Sequence, residues 1–171
     1  MLAALDLPAT LTARAGDLTV RRATPADLPA LMALLADDAI SAARGDRADA
    51  ADEATYEAAL RSVLDAPLND LLVVDDADGV LVGTLQLTVV PGMARQGATR
   101  LLVEAVRVSS RVRSGGIGGA LMRWVMHVAA PATGTALVQL TSDAASVDAH
   151  RFYTRLGFRD SHIGFTYAVG S

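Results

Sequence analysis

A chain of 171 residues, 51% hydrophobic and 20% charged, is long enough for one compact domain and too apolar for a disordered one. Its formal net charge of −4 argues against a non-specific nucleic-acid binder, which needs a dense basic stripe, although Arg107, Arg111 and Arg113 form one local basic cluster. With no cysteine there is no disulfide framework, thiolate nucleophile or cysteine-based metal site, and three widely spaced histidines point to no metal site of another kind.

Residues 1–16 read as an N-terminal extension. Leu2, Ala3, Ala4 and Leu5 are mildly apolar, but Asp6 interrupts them, no positive charge precedes them and no run could span a bilayer. Neither a signal peptide nor a membrane segment is expected, so a cytoplasmic location is the default. The expectation is a loosely ordered stretch, with residues 2–5 packing weakly on the domain or a partner. A single domain then occupies residues 17–171.

Residues 18–21 are a short strand. Thr24, Pro25 and Asp27 mark a helix start, with Thr24 as cap, Pro25 in the first turn and Asp27 placed to reach back. Leu28, Leu31, Leu34 and Leu35 follow at helical spacing. A polar stretch over residues 41–52 leads to a second helix at 53–64, ended by Pro67. The apolar run 71–74, the turn 75–79 and the strand 80–90 predict an antiparallel hairpin, and Gly83 inside it hints at a bulge or a close backbone approach. Residues 92–98 are an exposed loop and 100–108 the next strand. A helix is expected over 117–129 with Ile117, Leu121, Trp124 and Val128 on one stripe. A strand at 136–140, a helix reaching Leu156, Gly157 as its cap and a final strand pair from Phe158 through residues 165–169 complete the chain.

The glycine-rich segment Arg113, Ser114, Gly115, Gly116, Ile117, Gly118, Gly119 lies between a strand and a helix. Each glycine inside a helix costs up to about 1 kcal/mol relative to alanine. At a helix N-terminus the same residues have a use. The first turn has N–H groups without internal partners, and the missing Cβ atoms let an anion approach them. The physical reading is a phosphate or pyrophosphate cradle; the bland alternative is a tight strand–helix turn. No Gly-Lys-Ser/Thr is present and no acidic ribose ligand follows, so neither a Walker loop nor a dinucleotide fingerprint is met.

The segment resembles the Arg/Gln-x-x-Gly-x-Gly/Ala signature of the GCN5-related N-acetyltransferases (GNAT), met by Arg113, Gly116 and Gly118. The preceding strand 102–108 resembles the family's fourth strand. The run Ala149, His150, Arg151, Phe152, Tyr153, Thr154, Arg155, Leu156, Gly157, Phe158 resembles its alanine, tyrosine and Leu-Gly-Phe segment, and Arg21 to Asp27 resembles its opening. The likeness covers residues 17–169. It implies a mixed α/β fold with one mostly antiparallel sheet of six to seven strands, splayed between strands four and five of the family's numbering and flanked by about four helices. It also implies an acyl-CoA-dependent acetyltransferase with acetyl-CoA as cosubstrate and no metal.

The resemblance implies roles for individual residues. Val106 and Val108 would offer backbone groups to the pantetheine arm, and Arg113, Ser114, Gly115, Gly116, Ile117, Gly118 and Gly119 would hold the pyrophosphate, Arg113 mostly through its main chain. The family often has a glycine and then a basic residue where this chain has Ser114 and Gly115, so a phosphate contact is missing. Glu104 is the candidate for activating the acceptor amine; if no bulge intervenes, alternation puts it on the face of Leu102, Val106 and Val108. Its bland reading is a salt bridge to Arg107 or Arg100. Tyr153 is the candidate acid for the departing thiolate, against the reading of a core aromatic. Ser146 replaces a common asparagine and is a weaker cofactor contact. His150 is a second base candidate, more simply a solvated helix residue.

The fold implies an acceptor site drawn from residues 36–57, 91–99 and 159–164. The acidic side chains Asp37, Asp38, Asp46, Asp49, Asp52 and Glu53 suit a small-molecule amine, while Arg95 and Arg100 would suit a substrate carboxylate. Rival readings are a transferase for a larger acyl group or a protein N-terminus, and a non-catalytic acyl-CoA sensor. Neither nucleic acid nor membrane is an expected partner, and family habit allows a homodimer.

Overall fold

The computed structural model describes residues 2–37, 45 and 48–170, which fall into two compact units, Met1–Gln139 and Leu140–Ser171. A six-stranded sheet runs in chain order through β1 (Ala9–Ala13), β2 (Gly16–Arg22), β3 (Asn69–Asp75), β4 (Leu81–Val90), β5 (Arg100–Val108) and β6 (Leu137–Leu140). From β1 to β5 every neighbouring pair is antiparallel. Together with four helices of eight residues or more among the described residues, this is the mixed α/β fold the sequence predicts.

Two helices, α1 (Leu28–Ala36) and α2 (Glu53–Leu64), lie against one face of the sheet. Their seam buries Leu28, Leu31, Met32 and Leu60 with Ala23 and Val73. Met32, rather than Leu35, completes the buried stripe of α1. The entry to α1 is set as its sequence predicts. The Thr24 N–H donates to Asp27 Oδ2 at 2.7 Å, and Pro25 opens the first turn. Asp27 is also gripped by Arg21, which donates to both carboxylate oxygens at 2.9 and 2.8 Å and reaches Asp75 at 2.6 Å with Nε. The Arg21 hydrogen bond, assisted by Thr24 and opposed by burial, holds the Asp27 carboxyl down at about 2.

Register puts Leu18, Val20, Leu72, Val74 and Leu85 on the reverse face, all of them buried. Helix α3 (Ile117–Trp124) packs there on β1 and β5. It does not stop near residue 129. A π-helical turn at Val125–Ala129 carries it into Ala130–Thr133, and Gly134, with φ 69°, ends it. The π turn adds a residue to the helical repeat and rotates the stripe. Val125 and Ala129 are therefore buried, and Val128, expected on the apolar side, is exposed.

The first sixteen residues are more ordered than their composition predicts. Leu2 and Leu5 are buried, and β1 pairs with β2 from Ala9↔Val20 to Ala13↔Gly16. The helical turn Leu2–Ala4 packs against Ala130–Thr133. The physical reason is that Leu2, Leu5 and Leu11 have apolar surface to bury, and β2 would otherwise expose an edge.

The hairpin of β3 and β4 forms as expected, closed by Asp76, whose Oδ1 accepts from the N–H groups of Asp78 and Val80. Its register slips between Val74 and Asp75, beside Gly83. A Cβ at Gly83 would stand 3.2 Å from the Arg107 carbonyl oxygen, which is the close approach its position hinted at.

In the second unit the helix α4 (Val147–Arg155) ends as predicted. Gly157 has φ 94°, and the Phe158 N–H returns to the Tyr153 carbonyl at 3.1 Å. The final strand pair is a correction: residues 158–170 carry no strand or helix among the described residues. A strand requires a neighbour that takes its N–H and C=O groups, and none does so here. Ile163, Phe165, Tyr167 and Val169 alternate as a strand would and stand exposed.

Candidate active site

The candidate site begins where β5 loses its regular alternation. Gln86 faces Glu104 and Thr84 faces Arg107, so Leu85 opposes two residues, Ala105 and Val106. This is a β-bulge, and Ala105 takes a left-handed φ of 49° within it. The extra residue changes the side-chain bookkeeping. Glu104 and Arg107 share a face, the one on which α1 packs, while Val108, opposite Gly83, lies on the face of Val103. The regular alternation that would unite Glu104 with Val106 and Val108 is thus broken by the bulge. Glu104 is exposed, Leu101 and Val103 are fully buried, and no ion pair joins Glu104 to Arg107 or Arg100 among the described residues. Arg107 Nη1 donates to the Val106 carbonyl at 2.9 Å, which leaves that oxygen one further lone pair.

Past β5 the chain turns through Ser110–Val112 into the glycine segment. Ser114 has φ 70° and Gly116 φ 81°, both left-handed. Gly116 caps α3, and the first ladder bond of that helix runs from Ala120 N to the Gly116 oxygen at 3.0 Å. The amides of Gly116, Ile117, Gly118 and Gly119 precede that bond, and none of them donates to a carbonyl among the described residues. Four donors at the positive end of a helix are an arrangement suited to an anion. Ile117 points its side chain into the core, so it contributes backbone only.

The Arg113 guanidinium is directed to the end of α1, 3.3 Å from the Asp37 carbonyl oxygen. Asp37 also accepts from Ser110, at 2.6 Å from the N–H and 2.8 Å from the hydroxyl. Those two bonds, with the positive charges of Arg113 and Arg111 behind them, lower the Asp37 carboxyl below the usual aspartate range. The loop is therefore tied to the C-terminus of α1, a link that no local sequence signal marks. Asp38 and Asp46, expected on the acceptor side, lie outside the described residues.

A second tie comes from the turn between β1 and β2. The Ala15 N–H donates to the Gly115 carbonyl at 2.9 Å, and Arg14 Nη2 donates to the Ser114 carbonyl at 2.6 Å. A Cβ at Gly115 would meet Ala15 Cβ at 2.8 Å and the Val112 oxygen at 3.0 Å. Glycine at 115 is a steric requirement, because the N-terminal turn occupies the space a side chain would need. Arg14 and Ala15 escaped the sequence reading because they lie a hundred residues from the loop, in a stretch without a motif.

Ser146 and Tyr153 belong to the second unit. Ser146 is the N-cap residue of α4 and makes no side-chain cap bond; its N–H donates to the Asp143 carbonyl at 2.9 Å. Tyr153 is half-buried between Phe152 and Phe158, with ring centroids 5.1 and 5.8 Å away in edge-on arrangements. His150 Nε2 lies 2.7 Å from the Asp143 carbonyl oxygen. A carbonyl only accepts, so that nitrogen carries the proton and Nδ1 is the basic position of the neutral ring.

The described residues contain no cluster of three or more His, Cys, Asp or Glu side chains that could hold a metal ion, and no helix long and apolar enough to cross a membrane.

Comparison with known proteins gives this geometry a family. The acetyltransferase (GNAT) family model matches residues 30–158. A protein of Bacillus halodurans described as a transcriptional regulator is 36% identical, with a TM-score of 0.82 over 89% of this chain and 99% of that one. The aminoalkylphosphonate N-acetyltransferase of Salmonella typhimurium is 36% identical over 67 residues, 39% of this chain and 43% of that enzyme, so the match spans less than half of the relative. Glucosamine-6-phosphate N-acetyltransferase of Arabidopsis thaliana, 15% identical, shares the fold with a TM-score of 0.70 over 90% of this chain and 99% of its own. With the family model covering most of the described chain and the glycine loop at the helix start where its signature falls, this chain belongs to the GNAT family of acetyltransferases.

Proposed function

We propose that this chain transfers an acetyl group from acetyl-CoA to a primary amine on a small molecule, by direct attack with both substrates bound. The observation that carries the reading is the run of four free amides at residues 116–119, ahead of the first bond of α3. Their backbone is bare of Cβ atoms except at Ile117, whose side chain is turned into the core, and this suits a pyrophosphate. Ser114 and Gly115 belong to the same cradle, and the backbones of Val106 and Val108 are assigned to the pantetheine arm.

Each catalytic role follows from the chemistry of amide formation. The acceptor nitrogen attacks as a neutral amine, so an ammonium substrate must first lose a proton. Glu104, exposed beside the bulge on the face where α1 packs, is assigned that proton, directly or through a water. The bond to sulfur then breaks, and the leaving thiolate is stabilised by a proton or a hydrogen bond. The Tyr153 hydroxyl is assigned that task, with Ser146 as a cofactor contact. The absence of cysteine leaves no thiol for an acyl-enzyme. An N-acetyltransferase among the relatives, whose name specifies an aminoalkylphosphonate acceptor, supports an amine on a small molecule here as well.

A second reading, an acyl-CoA-binding sensor without turnover, is favoured by the description of the Bacillus halodurans protein as a transcriptional regulator. One experiment separates the two. Purified protein is incubated with acetyl-CoA and a panel of amines, including aminoalkylphosphonates, polyamines, amino sugars and amino acids, and free thiol is followed. Acceptor-dependent thiol release supports transfer. Binding of CoA without release for any acceptor supports the sensor, and no binding of CoA overturns both.

A further inference from the structure

The cofactor loop of this chain lacks a basic side chain at 115, and the structure shows both why and what stands nearby. The N-terminal turn fills the space at Gly115, with Ala15 Cβ at 2.8 Å from the position of a substituent. The same turn carries Arg14. Its guanidinium reaches the Ser114 carbonyl at 2.6 Å, and its Nε lies 3.6 Å from the point where a Gly116 Cβ would stand. At the other end of the run of amides, Arg123 folds back along α3 and puts Nη1 at 3.3 Å from the corresponding point at Gly119. Two exposed cations thus bracket the open amides of residues 116–119.

This arrangement opposes the ordinary preference of helices. A cation is favourable near a helix C-terminus and unfavourable near the N-terminus, where the partial charge is already positive. Two guanidinium groups at that end repel each other and the helix unless an anion lies among them. Neither has a carboxylate partner among the described residues. Guanidinium groups are suited to the missing anion, because their forked donors match phosphate oxygens.

We infer that Arg14 and Arg123 form a two-sided clamp on the phosphate groups of the CoA nucleotide, and that Arg14, delivered by the β1–β2 turn, takes over the contact that Gly115 cannot make. This rests on the proposed use of a CoA thioester. It makes residues 1–16 part of the cofactor site.

The test measures dissociation constants by calorimetry for CoA, dephospho-CoA and S-acetylpantetheine, the last without any phosphate. Wild type is compared with Arg14→Ala, Arg14→Lys and Arg123→Ala at two salt concentrations. Charge-assisted hydrogen bonds of this kind predict that each alanine variant weakens CoA about tenfold or more. S-acetylpantetheine is expected to bind all four proteins alike, and the salt dependence of CoA binding to become shallower in each alanine variant. Arg14→Lys, which keeps the charge, recovers most of the loss. If the penalty falls mainly on CoA and not on dephospho-CoA, the 3′-phosphate is the contact; if equally on both, the pyrophosphate is. Arg123 makes no hydrogen bond to the loop among those described, so its variant reports charge without loosening the turn. Unchanged CoA affinity in both alanine variants overturns the clamp, as does an equal loss for S-acetylpantetheine, which would signal a collapsed loop. A wild type that binds no CoA instead overturns the acetyl-CoA reading itself.

Discussion

The loop at residues 109–116 and the stretch at 158–170 are both free of regular structure over most of their length, yet they are held very differently. The loop is fastened on two sides. Asp37 takes two bonds from Ser110, and the β1–β2 turn gives two bonds to the carbonyls of Ser114 and Gly115. Among the described residues, the C-terminal stretch has one side-chain bond, between neighbours Ser161 and His162, and four exposed apolar side chains. The difference teaches that a pattern becomes a structure when other parts of the chain meet its polar groups. Glycines at a helix start orient donors only because something else holds their carbonyls. Alternating apolar residues make a strand only when a neighbour completes the ladder.

The comparison would change most at Tyr153, which precedes the loosely held stretch. If that part of the chain carries chemistry, Tyr153→Phe lowers kcat about a hundredfold or more while the dissociation constant of acetyl-CoA stays within a factor of two or so. Steady-state turnover together with binding measurements decides it, and wild-type turnover would remove the acid role. The loop side is sharpened by Gly115→Val. The added atoms collide with Ala15 and the Val112 carbonyl, and overpacking of this kind costs about 1–3 kcal/mol of unfolding free energy. Chemical denaturation reads it, and a neutral result would show that the turn is not docked on the loop.

A smaller effect concerns the Asp37 tie. Its carboxyl is lowered in the folded state, so its contribution is complete above the unfolded value near 3.8 and is lost as pH falls through the lowered folded value. The hydrogen-exchange protection factor at the Ser110 amide, which removes the intrinsic pH dependence of exchange, should hold above the unfolded aspartate value and fall as the pH drops through the lowered folded one. Asp37→Ala should show the low protection factor at every pH. The smallest effect is expected in the tail. Phe165→Ser removes a side chain that is 92% exposed and should change stability by less than about 0.5 kcal/mol. A loss of 2 kcal/mol or so, seen in thermal melts, would mean that the stretch is packed in solution and would close the gap between the two regions.

Much of the first unit was legible because its signals are local. The Thr24 and Asp27 helix entry, the β3–β4 hairpin and the strand 100–108 each depend on residues within a few positions of one another. The glycine turn that opens α3 at Gly116 was legible for the same reason. What escaped was set by distant partners. Leu2 and Leu5 look like a weak apolar tail until β2 and the end of α3 provide something to cover. Arg14, Ala15 and Asp37 act on the loop from 73 to 100 residues away, and periodicity holds no trace of such contacts. The π turn in α3 was hidden because Val128 and Val125 are equally apolar, and only packing chooses between them.

The bulge at Ala105 and Val106 has a consequence for how this chain tolerates change in length. Ahead of it, β5 keeps step with β4; beyond it, the two strands are offset by one residue as far as the Gly83 and Val108 pair. It behaves like a shift of phase in a repeating signal. Deleting Ala105 would restore an unbroken ladder with Glu104, Arg107 and Val108 still opposite Gln86, Thr84 and Gly83, so every remaining side chain would keep its face. The bulge is thus the place where β5 can lose a residue and keep both ends of the strand in phase, whereas a deletion elsewhere in the strand would invert one of them.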